Sequence, residues 1–479
     1  MPELSARRRQ SILAICCMSL FIVGLDVTIV NVALPTISTD LHAPISGLQW
    51  IMDGYTLVLA SFLMLGGSSG DRFGRRRVFQ TGLVLFTLGS LLCSIAPSLG
   101  WLVAARVLQA IGGSMLNPVA MSIITNTFTE PKERAKAIGV WGAVFGLSMA
   151  LGPIVGGVLV SGVGWRGIFW VNVPIGIAAL VLTARFVPES KAPRSRRFDP
   201  VGQGLIIFLL ADTIYAIIEG PHHGWGSPLI VTLFAAAAVA AVALVRYEGR
   251  RKEPLLDPRF FRSVPFTGAT VSAVCAFTTI GGFLFLNALY LQDARGFSAL
   301  HAGLLTLPMA AANLVASPFS GRLVGAYGAR VPLVAASGFM LAAGLLLTTF
   351  TTTTSLYVVA VAYVLVGLGF GLVNAPITNS AVSGMPREQA GVAAAVASTS
   401  RQVGSSLGVA VFGSILASGG SFTGASRACW WIVVGCSSAI GVLGIITTGP
   451  KARASAARTA AIFAPAAVGP EAKTKAAVA

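Results

Sequence analysis

The chain has 479 residues, of which 55% are hydrophobic and only 11% charged, with a mean hydropathy of +0.79. A soluble globular protein carries about 25% charged residues, so this chain cannot cover a wet surface, and its apolar fraction also excludes disorder. The 54 glycines and 24 prolines follow no G-X-Y period, which excludes collagen; a polytopic membrane protein remains.

A helix needs about 20 mostly apolar residues to cross the hydrocarbon core. Apolar runs punctuated by charge, Pro or Gly predict fourteen spans. The first six lie near 11–36, 50–69, 78–97, 101–125, 136–161 and 167–187, and two more near 201–219 and 229–246. The last six lie near 266–291, 302–324, 330–350, 355–380, 391–417 and 429–448. The expected organisation is a cytoplasmic N-terminus (1–10), an N-terminal six-helix bundle (11–187) and a Pro-, Ser- and Arg-rich cytoplasmic linker (188–200). Two inserted helices (201–246), a cytoplasmic loop (247–265) and a C-terminal bundle (266–448) follow. The Ala-rich stretch 449–479 is expected to be a disordered cytoplasmic tail.

The net charge of +17 would suggest a nucleic-acid partner in a soluble protein. Here 29 of the 34 lysines and arginines fall in the segments that lie inside if the N-terminus is inside. Only Arg166, Arg295 and Arg427 fall outside, while Arg106 and Arg401 fall within spans. This asymmetry places both ends in the cytoplasm and accounts for the basic excess without nucleic acid. The basic start runs into a long apolar stretch ending at Pro35 with no small-residue cleavage site, and reads as a retained first helix. Cys16, Cys17, Cys93, Cys275, Cys429 and Cys436 sit in or at the start of apolar runs, without CxxC or CxxxH spacing, and read as small packing residues. His42, His222, His223 and His301 lie in or near outer loops with no supporting acid or cysteine cluster, so no metal is expected. No phosphate-binding loop occurs; direct ATP drive within this chain is excluded, and neither nucleotide nor any other cofactor is expected.

An internal repeat organises the spans. Gly67, Asp71 and Gly74 recur in spacing as Gly321, Gly325 and Gly328. Glu133–Ala135 has a counterpart in Glu388–Ala390, and Leu116–Pro118 in Val373–Pro376, at nearly the same offset. A duplicated six-helix half, with a substrate site between the copies near the midplane, is a transporter architecture.

Charges inside the membrane survive where they are paired, face a water-filled cavity or titrate. Asp26, Asp53 and Asp212 are the acids well inside spans and Arg106 and Arg401 the bases; proton binding and release is the natural role for the first two acids. Asn31, Gln109 and Asn117 are further polar candidates in the first and fourth spans. Gly67, Asp71, Arg72, Gly74, Arg75 and Arg76 form a tight cytoplasmic turn with one acid among arginines, expected to latch neighbouring helices. Gly146, Gly152, Pro153, Gly156 and Gly157 give the fifth span a small-residue face and a mid-span proline, read as a hinge or seal.

These motifs resemble those of the major facilitator superfamily, and within it the fourteen-helix drug:proton antiporters. Leu25–Ile37 is similar to that group's first-helix motif, with Asp26 as its acid, and Gly67–Arg77 to the superfamily's loop motif, with Ser and Gly in place of the usual residues before Asp71. Arg106–Gly113 resembles the fourth-helix motif whose arginine serves proton coupling, and Gly152–Gly157 the antiporter motif associated with export. Trp165–Gly176 and Arg401–Gly413 are also typical of the fourteen-helix branch. The resemblance implies an all-α fold of two six-helix bundles with two extra helices between them, and alternating access in a bacterial cytoplasmic membrane. It further implies Asp26, Asp53 and Arg106 as proton-coupling or substrate residues. The thirteenth span lacks the acids that some relatives use for divalent cations.

The expected activity is export of lipophilic, often cationic drugs or antibiotics in exchange for protons. Export of an endogenous metabolite, siderophore or lipid uses the same fold with another cargo, and a proton-coupled nutrient importer is the rival of another class. An enzyme is not expected: catalytic clusters are missing from the sequence.

Overall fold

A computed structural model describes residues 5–192, 198–251, 254–383, 385 and 387–463. The N-terminal half comprises α1 (Ala6–Leu41), α2 (Ile45–Phe73), α3 (Arg75–Ser94), α4 (Leu99–Thr127), α5 (Pro131–Val163), the short α6 (Gly167–Trp170) and α7 (Asn172–Phe186). The inserted pair is α8 (Pro200–His223) and α9 (Pro228–Glu248). The C-terminal half comprises α10 (Val264–Leu289), the short α11 (Ala299–Leu305), α12 (Leu307–Tyr327), α13 (Arg330–Leu347), α14 (Leu356–Val382), α15 (Arg387–Ala417) and α16 (Phe422–Ile446). A last helix, α17 (Pro450–Phe463), follows.

All fourteen predicted spans are occupied by helix. Serines and an aspartate in the connections start them: Ser98, Asp199, Ser227 and Ser421 each accept a hydrogen bond from the first turn of α4, α8, α9 and α16. Two spans are broken where the sequence reading drew one rod. The sixth is split at Val171 into α6 and α7, and the tenth at Thr306 into α11 and α12. Pro174 and Pro308 sit in the first turns after these breaks, where a missing N–H costs least. The tail reading is corrected for Pro450–Phe463, which form α17. Its Ala452, Ser455, Ala456 and Thr459 are buried, and Ser455 Oγ accepts from Val264 N at 3.0 Å. Residues 464–479 of that tail lie outside the described residues.

Contacts between the two halves gather at their outer ends. Gln49 Nε2 donates to Ala410 O at 2.7 Å and Gln292 Nε2 to Val32 O at 2.8 Å. A Cβ added at Gly157 would lie 2.7 Å from Ala299 O, and one at Gly303 would lie 2.3 Å from Pro153 O, so α5 and α11 meet backbone to backbone. Toward the cytoplasm α2 stays packed on the other half, with Met64 against the cluster of Phe266, Val396 and Ala397, while α5 loses its neighbours there. A Cβ at Gly139, Gly142 or Gly146 of α5, or at Gly321, Gly325 or Gly391 of the other half, would touch nothing within 4 Å. Along α5 the seam is closed at the outer end and open at the inner end.

The inserted pair stands outside both bundles, with α9 packed on α8 and α8 laid along the seam of α2 and α15. Gln203 Nε2 donates to Ser61 O at 2.6 Å near the inner end. Trp50 Nε1 donates to Glu219 Oε1 at 2.9 Å near the outer end, and Ser414 Oγ to Ile217 O.

Candidate proton-coupling and transport site

The centre of the N-terminal half holds a closed polar network built by five helices. Glycine brings two of them together: a Cβ at Gly89 of α3 would lie 2.6 Å from Gln109 Cα, and one at Gly112 of α4 would lie 2.3 Å from Phe86 N. This approach sets Ser90 against Gln109, whose Nε2 donates to Ser90 Oγ at 2.7 Å and to Asp26 Oδ1 of α1 at 2.8 Å. Arg106, one turn earlier on α4, donates through Nη1 to Asp26 Oδ2 at 2.5 Å and to Gln109 Oε1 at 2.6 Å. Asn172, at the start of α7, donates to Asp26 Oδ1 at 3.2 Å. Arg106 Nε reaches Ile51 O of α2 at 3.2 Å, and the guanidinium lies 4.2 Å from the Tyr55 ring centre.

Asp26, Ser90, Arg106, Gln109 and Asn172 are all 0% exposed. Such an ion pair holds only while its remaining lone pairs and protons are served, and here Gln109 and Asn172 serve the carboxylate. Arg106 Nη2, Asn172 Oδ1 and the Tyr55 hydroxyl are buried without partners. The sequence reading names Asp26, Arg106 and Gln109, which the structure brings together. It misses Ser90, Tyr55 and Asn172; the last falls inside the motif Trp165–Gly176, where a polar residue between apolar ones was a readable signal.

Asp53 lies apart from this network. It is fully buried on α2, accepts from Thr56 Oγ1 at 3.0 Å, and leaves Oδ2 without a partner. Its neighbour across the seam is Ser406 of α15, so Asp53 faces the other half. Asn31 donates to Val27 O at 3.1 Å, and the carbonyl oxygens of Asn31 and Asn117 are buried without partners. Asp212 is half-buried in mid-α8, beside Leu209, Leu210 and Thr213, which line an apolar recess against α2 and α15.

The cytoplasmic turn is tied down by more than its own motif. Asp71 Oδ1 accepts from Arg75 Nη2 at 2.8 Å, and Arg76 Nη2 donates to Ala184 O at 2.6 Å. Gly74 has φ 109°, which an L side chain adopts only under strain. Glu189, from the linker, caps α3 by accepting from Arg76 N at 3.1 Å and Arg77 N at 3.3 Å, and a Cβ at Gly74 would meet its carboxylate at 2.6 Å. Gly67 faces Pro118 of α4, while Arg72 lies over the exposed Phe73 ring. Glu189 is a partner that the motif itself does not announce.

On α5 the glycines divide by face. Gly152 and Gly156 let α1 cross closely at Thr28 and Ile29, Gly157 meets α11, and Gly146 opens into the inner gap. Pro153 shares the lining of a recess between the halves with Thr28, Met149, Ile280, Met309, Asn313 and Phe370. That lining carries no charged side chain. Arg401 of α15 donates to Thr378 Oγ1 of α14 at the inner side of this region.

The comparisons with known proteins agree with this geometry. Residues 16–409 match the Major Facilitator Superfamily. The multidrug resistance protein Stp of Mycobacterium tuberculosis is 40% identical over 400 residues, covering 84% of this chain and 74% of Stp. The tetracenomycin C resistance and export protein of Streptomyces glaucescens is 38% identical, covering 83% and 74%. The crystal structure of a bacterial homologue of the human lysosomal transporter Spinster, inward-facing and unoccupied, shares the fold with a TM-score of 0.61 at 18% identity. That match covers 97% of this chain and all of the other. With thirteen helices among the described residues long and apolar enough to cross a membrane, and bacterial relatives of this kind, the chain is a multi-pass protein of the bacterial inner membrane. It belongs to the Major Facilitator Superfamily.

Proposed function

We propose that the chain is a proton-coupled antiporter that exports lipophilic, often cationic drugs or antibiotics from the cytoplasm by alternating access, with no cofactor and no enzymatic step. The observation that carries the coupling is the Asp26–Arg106 pair, 2.5 Å apart and wholly buried, in a half whose relatives are named for drug resistance and export. A proton reaching Asp26 removes the charge that holds Arg106, while Gln109 and Asn172 keep bonds to a neutral carboxyl. The pair therefore has two arrangements, as a coupling element requires. Asp53, facing Ser406 across the seam, is a second proton carrier placed where the halves slide.

Substrate enters the open inner gap and lodges in the recess at Pro153, Met149, Met309 and Phe370. Methionine and aromatic side chains suit varied apolar shapes. The test is drug accumulation in cells expressing the chain against cells with an empty vector, with and without a protonophore. The reading expects lower accumulation of a lipophilic dye such as ethidium or rhodamine 6G, lost on adding protonophore. Equal accumulation across a panel of dyes and antibiotics contradicts it.

A further inference from the structure

Among the charged groups inside the membrane, Arg401 stands out by lacking an acid. Arg106 has Asp26; Arg401 makes no ion pair among the described residues. Its Nη2 donates to Thr378 Oγ1, its Nη1 makes a long 3.5 Å contact with Ser398 Oγ, and its Nε is buried without a partner. The guanidinium carbon lies 6.0 Å from the Phe277 ring centre. Phe277 packs edge-on against Phe370 at 5.3 Å, and Phe370 lines the central recess. Around Arg401 the inner half of α14 carries the exposed Thr378 and Asn379. They stand in the last turn of the span predicted at 355–380, at its inner end, where polar side chains meet water.

We propose that Arg401 is an anion-recognition residue that binds the carboxylate of an amphiphilic substrate whose apolar body lies in the recess beside Phe277 and Phe370. The guanidinium has donors to spare in a fork that matches a carboxylate, and the uncharged recess supplies no competing cation. This rests on the export reading and names a substrate class for the same cavity: lipophilic organic acids, alongside neutral compounds.

The test uses inside-out vesicles with an imposed proton gradient and three probes that share one apolar body: 1-pyrenebutyrate, its methyl ester and 1-pyrenemethylammonium. Wild type is expected to accumulate the carboxylate, and Arg401→Gln to lower that accumulation about tenfold or more, the scale of one charged hydrogen bond, with the ester changed less than twofold. Arg401→Lys keeps a charge without the planar fork and is expected to retain part of the carboxylate transport. An equal fall for carboxylate and ester makes Arg401 structural and overturns the proposal, as does unchanged carboxylate transport in Arg401→Gln. Should the glutamine variant fail to reach the membrane, binding to purified wild type decides: preference for the carboxylate over the ester supports the proposal, and equal affinity overturns it. A wild type that moves ester and amine but not carboxylate overturns this inference alone, whereas one that moves none of the three overturns the export reading with it.

Discussion

The two halves share one six-helix plan, yet among the described residues only the first holds a buried ion pair at its centre. In the N-terminal half, α1 and α4 are joined by Asp26 and Arg106 inside a network of side chains that are all 0% exposed. In the C-terminal half the equivalent helices, α10 and α14, are joined by a neutral bond, Tyr363 O–H to Asn287 Oδ1. The loop motifs differ the same way, with Asp71 pairing Arg75 in one copy and Gly325 standing in open space in the other. A buried ion pair is a costly way to hold helices together, and the second half shows that this fold does without one. Its retention in the first half agrees with the proposed coupling role, while both halves line the recess between them.

The largest expected effect breaks that asymmetry directly. Arg106→Gln strands the Asp26 charge and is expected to cost about 3–5 kcal/mol. Tyr363→Phe leaves only one acceptor unserved and is expected to cost about 1–2 kcal/mol. Thermal unfolding of the two variants in detergent compares them. Equal losses remove the distinction between the halves.

A second expectation separates the outer seam from the inner gap. Gly157→Val places side-chain atoms against the Ala299 carbonyl. It is expected to disfavour the observed closed outer seam by about 1–3 kcal/mol, raising the labelling of a cysteine introduced at Ala299 from the outside. Gly146→Val meets no neighbour and leaves that labelling unchanged. The reverse order of labelling would place the seam elsewhere.

Smaller effects come from the cytoplasmic latch. Glu189→Gln weakens the anionic cap on α3 and is expected to cost about 0.5–1 kcal/mol, seen as faster amide exchange at Arg76 and Arg77. Gly139→Ala, which would touch nothing, is expected to change stability by less than about 1 kcal/mol, in the stabilising direction set by helix propensity. A loss of several kcal/mol there would show that α5 is packed along its whole length.

The fold was legible because its signals are collective: long apolar runs, arginines on one side and a motif spacing used twice. What escaped the sequence were local events. The breaks at Val171 and Thr306 follow from Pro174 and Pro308, whose missing N–H matters only once the helix register is known. The α17 helix has polar and apolar residues mixed, and its docking through Ser455 on Val264 N and Phe463 on Phe260 is a tertiary event. At the site, Asp26, Arg106 and Gln109 stood out as polar residues in apolar spans. Ser90 and Tyr55 are common membrane residues, and only the close crossing at Gly89 and the ring beneath the guanidinium give them a role. Glu189 lies more than a hundred residues from the turn it caps, a distance no local pattern spans.

The central claim is that Asp26 carries the coupled proton. Substrate-driven proton movement in inverted vesicles, wild type against Asp26→Asn, tests it most directly, with a cationic dye and a neutral antibiotic as substrates. The prediction is a substrate-dependent pH change in wild type that is absent in Asp26→Asn for both compounds, with the variant present in the membrane at normal amounts. Undiminished coupled transport in Asp26→Asn would contradict the account and make the network a structural one.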